Sequence, residues 1–481
     1  MFQTDVAQQS MEYAAGVTLS TAVEPARTEE GLRRKLTPRQ IAMMAIGSAI
    51  GVGLLLGSTV TIRLAGPAVI VTYLFGALIA IIMGYALAEM AVVHPVAGSF
   101  GVFADRYLSP WSGYVVRTTY AFVQILAIGA EVTAVAIYFS FWFPSVPPWV
   151  WVVVMAAALI AVNTAHVGVF GELEYWFAVI KVTAILAFIG AGLAIVVGLG
   201  PQPAVGFRHL YEGPGGFLPN GWRGVWLALT LVITSYMGVE GIAVTAGEAE
   251  HPETSIPRAM RMMVLRLILF YVLAMTVMLM MSPWRQLAES NNGITGSPFV
   301  RAFTAIGIPS AAGAMNLVVI SAAISSANAN LYMTARMLLS LARSGYTPAS
   351  LAVVSPKGVP LRAVATASAG VGAAILLAIF APANAFLALY GTAVAGMLFI
   401  WMVILVTYLR FRAALTPDQL ARLPIRMPAH RVAAWFGLFS LAAIAATTFF
   451  VEGLQYSVIS YLPFLALMSI VYQRTRGDAH A

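Results

Sequence analysis

Three ionisable side chains stand inside apolar runs that leave them little water. Lys181 lies within residues 174–199, Glu240 within 222–247 and Glu131 within 111–141. In hydrocarbon a charge must snorkel to an interface, pair, or give up its charge by moving a proton. Lys181 could therefore snorkel to the inner surface, stand where a sodium ion would otherwise balance charge, or cycle its proton. Ser325 and Ser326 are candidate neighbours for it. Glu240 has two readings: a carboxylate bonding local backbone, or a gating acid that titrates. Glu131 is either a structural partner for another helix or part of the substrate or proton path. His94, His166 and His251 are scattered along the chain and suggest no metal site.

Two stretches could hold a small ligand near these groups. The first is Ala45 to Ser58, in which Gly47, Gly51, Gly53 and Gly57 interrupt an apolar run. Each glycine weakens a helix by about 1 kcal/mol relative to alanine. A span broken at membrane depth survives only where its freed backbone groups find partners or line a cavity. The second is Thr234-Ser235-Tyr236-Met237-Gly238-Val239-Glu240-Gly241. The N-terminus of a half-helix attracts an anion, and unwound carbonyls attract a cation. A competing explanation for the first stretch is close helix packing through small residues.

The elements that must position these groups follow from composition. Of 481 residues, 60% are hydrophobic and only 10% charged, against about 25% charged in ordinary soluble domains. Twelve apolar runs reach the roughly 20 residues a spanning helix needs. They cover roughly 41–64, 66–93, 111–141, 149–169, 174–199, 222–247, 258–281, 309–342, 362–380, 384–409, 431–450 and 457–473, here called spans 1 to 12. The two interrupted stretches fall in spans 1 and 6. An offset of five helices suggests inverted repeats, about 41–199 and 222–409, so that the broken helices meet antiparallel. The resulting organisation is a polar tail at 1–37, a transporter-like core at 38–410, a loop with spans 11 and 12 at 411–473, and a short tail at 474–481.

Charge placement orients the chain. Of 27 Lys and Arg residues, twenty fall in segments and helix ends on the side of the termini. Among them are Arg33, Arg34 and Lys35 before span 1, Arg258, Arg261 and Arg266 entering span 7, and Arg336 and Arg343 leaving span 8. Five fall on the opposite side: Arg63, Arg208, Arg223, Arg285 and Arg301. Both termini are thus expected in the cytoplasm of a cell with the protein in its inner membrane. The net charge of +8 is explained without nucleic acid. Phe141-Trp142-Phe143-Pro144 suits the outer interface. Residues 1–37 hold no apolar run of signal-peptide length. There are no cysteines, hence no disulfide or thiol chemistry, and no catalytic cluster that would suggest an enzyme. Arg117 is expected to be a snorkelled structural arginine, and Glu89, Glu248 and Arg336 an inner ion-pair network.

Several ordered stretches resemble a known family. These are Ile50-Gly51-Val52-Gly53-Leu54-Leu55-Leu56-Gly57-Ser58, Leu64-Ala65-Gly66-Pro67, Pro95-Val96-Ala97-Gly98-Ser99-Phe100, Glu174-Tyr175-Trp176-Phe177-Ala178-Val179-Ile180-Lys181-Val182, Gly238-Val239-Glu240 and Thr334-Ala335-Arg336-Met337-Leu338. The chain resembles the amino acid–polyamine–organocation superfamily, within it the bacterial amino acid permeases, over about residues 35–415. The resemblance implies an all-α membrane fold of about twelve helices, built as 5+5 inverted repeats with helices 1 and 6 discontinuous. It implies an amino acid substrate and no cofactor. The substrate carboxylate would sit on backbone N–H groups near Ser48, Ala49, Gly51, Val52 and Gly53. Its ammonium would sit on carbonyls near Thr234, Ser235 and Met237, beside Gly238 at the break; from its position next to the break Tyr236 reads as a gate over the substrate, with aromatic packing as the competing reading. Lys181 would belong to proton coupling; for Glu240 and Glu131 the resemblance adds nothing to what their positions suggest. The family often has Thr or Ser where this chain has Val52, which removes one hydroxyl from the carboxylate site. The expected activity is import of a neutral amino acid by proton symport through alternating access. An exchanger of amino acids or polyamines, and a nutrient receptor without transport, remain alternatives. The sequence does not give the oligomeric state.

Overall fold

Long apolar runs become helices because hydrocarbon offers no water to the backbone, so each N–H and C=O must be bonded within its own segment. The computed structural model describes residues 51–55, 57–96, 98–164, 167–199, 203–246, 251–288, 297–305, 309–356, 358–380, 385–451, 454 and 457–478. All regular structure among them is helical. Spans 2 to 5 are Val69–Val93, Pro110–Phe139, Pro148–Thr164 and Val167–Val196. Spans 8 to 12 are Pro309–Arg343, Leu361–Phe380, Ala385–Ala414, His430–Thr447 and Ser457–Asp478. Among the described residues, eight stretches are long and apolar enough to cross a membrane, one of which, Ser58–Val93, joins the outer part of span 1 to span 2. Ser48, Ala49, Glu248 and the tail at 1–37 lie outside the described residues.

Helices five apart pack together: span 1 on span 6, span 2 on span 7, span 3 on span 8 and span 4 on span 9. Two antiparallel repeats nested around a common centre produce that pairing. Span 3 is the central rod, lying against spans 8, 9 and 10. Spans 11 and 12 pack on span 10. Apolar side chains such as Leu186, Leu376, Phe439 and Leu462 face outward, as do Phe141, Trp142 and Phe143. A surface this apolar suits lipid and an aromatic interface belt rather than water.

Three inner-side expectations change. Arg117 does not snorkel: it is fully buried. Its Nε donates to Gly113 O at 2.9 Å and its Nη1 to Ser340 and Ser344 Oγ at 3.2 and 2.8 Å, while Nη2 lies 3.4 Å from Asp105 Oδ2. It ties spans 3 and 8 to a short helix, Ser99–Tyr107, that the hydropathy pattern did not reveal. Glu89 is also buried, and it holds the loop before span 11 rather than Arg336. It accepts from Tyr408 Oη at 3.0 Å and from the Met427 N–H, and its Oε2 lies 3.4 Å from Arg412 Nη1. Arg336 instead lies over the Tyr332 ring at 3.6 Å. The third change concerns Arg266, which is not at a helix end. It is buried where Pro252–Arg266 gives way to a π-helical stretch, Leu267–Leu273, in the middle of span 7.

His94, just past the end of span 2, has its Nε2 2.6 Å from the Tyr107 hydroxyl and its Nδ1 3.4 Å from Arg106 Nη1. Burial, with repulsion from Arg106 added, holds its imidazole down to about 4. An unfolded chain takes up a proton near pH 6.5 that the folded chain refuses, so this group leaves stability flat above pH 6.5 and lowers it progressively toward pH 4. The melting temperature in detergent is expected to fall between pH 7 and pH 5, and to fall less in His94→Gln. Equal slopes in the two proteins would remove His94 as the cause.

Candidate functional site

Span 6 breaks by steps. The helix Gly221–Val232 tightens into a 3-10 turn, Ile233–Tyr236, leaves helical geometry at Met237 and Gly238, and resumes at Gly241–Thr245. Gly238 has φ +99°, a conformation that a side chain resists and glycine accepts. The break is held by named bonds. Glu240 Oε1 accepts the Gly238 N–H at 3.1 Å. Tyr271 Oη, from span 7, donates to Ser235 O at 2.9 Å. Tyr236 Oη donates to Tyr73 O of span 2 at 2.7 Å, and its ring stacks on Tyr271 at 4.7 Å. Tyr236 therefore faces spans 2 and 7. Thr234 Oγ1 donates to Leu231 O at 2.6 Å. The Ser235 hydroxyl, buried at the break, makes no hydrogen bond among the described residues.

Span 1 passes the same point. The turn Val52–Leu55 lies against the 3-10 turn of span 6 and against span 8, and the helix Ser58–Ala65 then carries the chain to the Gly66 turn. Gly51 is buried. A Cβ there would come within 2.8 Å of Ser326 Oγ and 3.1 Å of Glu131 Oε1. A side chain there would have to displace the Ser326 hydroxyl and the Glu131 carboxylate, since side chains of spans 3 and 8 approach the backbone of span 1. Gly53 is partly buried, and it and Val52 belong to the same short turn.

Lys181 stands at the middle of Val167–Val196 and is fully buried, which excludes snorkelling. Its Nζ donates to Ser325 Oγ at 2.9 Å, and the Ser325 hydroxyl donates to Glu174 Oε2 at 2.7 Å. Asn328 Nδ2 donates to Glu174 Oε1 at 2.7 Å, and Asn163 Nδ2 to Asn328 Oδ1 at 2.6 Å. One residue along span 8, Ser326 Oγ donates to Glu131 Oε1 at 2.7 Å. Glu174 and Glu131 both act electrostatically on Lys181. Two adjacent serines thus connect the lysine and Glu174 on one side with Glu131 and Gly51 on the other. Hydrogen-bonded carboxylates, hydroxyls and an amine in contact can pass protons without exposing a bare charge to lipid.

Sequence reasoning named Lys181, Glu131 and the two serines but missed Glu174, Asn328, Asn163 and Arg266 as site residues. A signal existed for Glu174: it precedes Lys181 by seven residues, about two turns, and so shares its helix face. For Arg266 no signal existed, because an arginine near a span entrance reads as an inner-end charge.

Two broken helices meeting at buried backbone donors and acceptors, with titratable groups alongside and apolar helices all around, define a multi-pass membrane transporter. The chain belongs to the amino acid permease family, whose model matches residues 40–473. It is 38% identical over 449 residues to an uncharacterised amino acid permease of Bacillus subtilis strain 168, YtnA, covering 93% of this chain and 96% of that one. It is 36% identical over 447 residues to the aromatic amino acid transport protein AroP of Escherichia coli K12, covering 92% and 95%. The same protein of Shigella flexneri matches at 36% over 447 residues. The fold is the all-helical, twelve-span architecture of that family, its activity is amino acid transport, and it is not an enzyme.

The close approach at Gly51 gives a direct test. Gly51→Ala is expected to lower amino acid uptake at least tenfold at normal membrane expression. Adding Ser326→Ala, which removes the 2.8 Å contact, is expected to return part of it. No recovery would mean that the glycine serves backbone conformation rather than this contact.

Proposed function

We propose that the protein imports a neutral, aromatic amino acid together with a proton by alternating access. The observation that carries this reading is Lys181, fully buried at mid-span and bonded through Ser325 to Glu174. A charge so placed must be compensated at every stage of the cycle. Taking up and releasing a proton within the set of Lys181, Glu174 and Glu131 is a way to do so without a metal cation. The aromatic preference is drawn from the AroP relatives, and the loss of a hydroxyl at Val52 agrees with a neutral substrate.

In this reading the N–H groups of Ser48, Ala49, Gly51, Val52 and Gly53 hold the substrate carboxylate. Carbonyls at Thr234, Ser235 and Met237 hold its ammonium, and Gly238 lets the chain turn between them. Tyr236 and Glu240 set the shape of the span 6 break, and Glu131 stands between the ligand and the lysine. The core is residues 38–410, with repeats about 41–199 and 222–409. Residues 411–473 are an added loop and helix pair, and 1–37 and 474–481 are tails. The excess of basic residues beside the termini supports a cytoplasmic location for both, in an inner membrane. Moving Arg266 to mid-span leaves that excess intact.

The test is uptake of labelled phenylalanine, tyrosine, tryptophan and a panel of other amino acids into proteoliposomes, with and without an inward proton gradient. Accumulation of the aromatic substrates is expected only with the gradient. Lys181→Ala is expected to lose accumulation at least tenfold yet retain exchange. Uptake that ignores the gradient but requires an amino acid or amine inside would replace symport by exchange and leave Lys181 a structural role.

A further inference from the structure

Among the described residues, Arg266 is a buried charge without a hydrogen-bond partner. It is only 1% exposed, and its Nε, Nη1 and Nη2 make no hydrogen bond among the described residues. A guanidinium presents five N–H donors and keeps its charge in proteins, so burial without an acceptor is strongly unfavourable. Glu240, also fully buried, acts on Arg266 electrostatically. Its Oε1 is committed to the Gly238 N–H, while its Oε2 makes no hydrogen bond among the described residues. Glu240 is the carboxylate within electrostatic reach of Arg266, yet no ion pair joins the two.

Each of the two sits at an irregular point of its helix. Glu240 closes the break in span 6. Arg266 is followed directly by the π-helical Leu267–Leu273. A π turn holds extra backbone relative to an α turn and recurs at functional sites, so span 7 can turn Arg266 by taking up that slack. The Tyr236 hydroxyl is bonded to Tyr73 O of span 2, and the Tyr271 hydroxyl to Ser235 O. Tyr120 of span 3 and the Trp401 indole of span 10 also approach the Glu240 carboxyl as hydrogen-bonding groups, though not at full hydrogen-bond geometry to Oε2, so an ion pair with Arg266 would displace them. Lys181 of span 5 lies within electrostatic range of Arg266 but is shared by Glu174 and Glu131.

We propose that Arg266 and Glu240, not joined in the state described here, close into a direct ion pair in another state of the transport cycle, a pair that needs Glu240 as the carboxylate. The pair then acts as a latch between the broken helix of span 6 and the π segment of span 7, which makes Arg266 a positioning residue for the span 6 half of the site. The inference rests on the alternating-access reading of the site.

The test uses wild type, Glu240→Gln, Arg266→Gln, the double variant and Arg266→Lys. Phenylalanine counterflow is measured in proteoliposomes from pH 5.5 to 8.5, and melting temperature without substrate is measured in detergent at the two ends of that range. Each single neutralisation is expected to lower counterflow at least tenfold at pH 7.5, because it strands the other charge. The double variant should exceed the worse single at least fivefold, its pH dependence should flatten, and Arg266→Lys should keep about a third of wild-type rate. At pH 8.5 the melting shifts of the two singles should sum to more than that of the double, and at pH 5.5 they should add. Losses that multiply in counterflow and add in melting at both pH values would overturn the pair. If wild type does not exchange phenylalanine, the substrate reading fails by itself, and the melting comparison still decides the pair.

Discussion

A helix interrupted inside hydrocarbon releases backbone groups that nothing in lipid can bond. In span 6 those groups are taken up one by one: Gly238 N–H by Glu240, and Ser235 O by Tyr271. The break is therefore a built feature, and its builders come from other helices. Tyr271 belongs to span 7, and Tyr73, which receives the Tyr236 hydroxyl, belongs to span 2. Residues far apart in the chain converge because helices five apart pack together in the two repeats. The consequence is a patch of irregular backbone at mid-membrane that packs against the span 1 turn, with the Ser235 hydroxyl buried at the break.

Beside that patch runs a layer of buried charge. Glu131 and Ser326 press on Gly51, Ser325 bridges Lys181 to Glu174, and Asn328 and Asn163 close the far end. Every carboxylate in this layer has at least one hydrogen-bond donor, and the lysine has at least one acceptor. Buried polar groups are tolerable when satisfied and expensive when not. The adjacency of Ser325 and Ser326 on one helix makes the two halves of the layer neighbours.

The inner face is organised by the same economy. Arg117 and Glu89 are both fully buried, and each joins a connecting segment to two spans. Arg117 fixes the short helix Ser99–Tyr107, and Glu89 takes the Met427 N–H of the loop before span 11. Charged groups that a hydropathy reading places at the water boundary serve here as internal ties between loops and helices.

The sequence by itself determined the twelve apolar runs, the interruptions at Gly47–Gly57 and at Thr234–Gly241, and the presence of Lys181, Glu131 and Glu240 in hydrocarbon. These are local properties: helix length, glycine content and the cost of a charge in an apolar run act within one segment. What only the tertiary structure decided is which groups meet. Glu174 becomes the partner reached through Ser325, Tyr236 turns to span 2, Arg117 is enclosed, and Arg266 moves from an apparent helix end to the centre of the molecule beside a π segment. Such facts depend on how helices distant in sequence face one another, and on a register change within span 7 that no periodicity in its uniformly apolar residues records. Hydrophobic patterning fixes that a segment is buried in the membrane. It says little about which neighbour a polar side chain will find there, because that is set by the packing of all the helices at once.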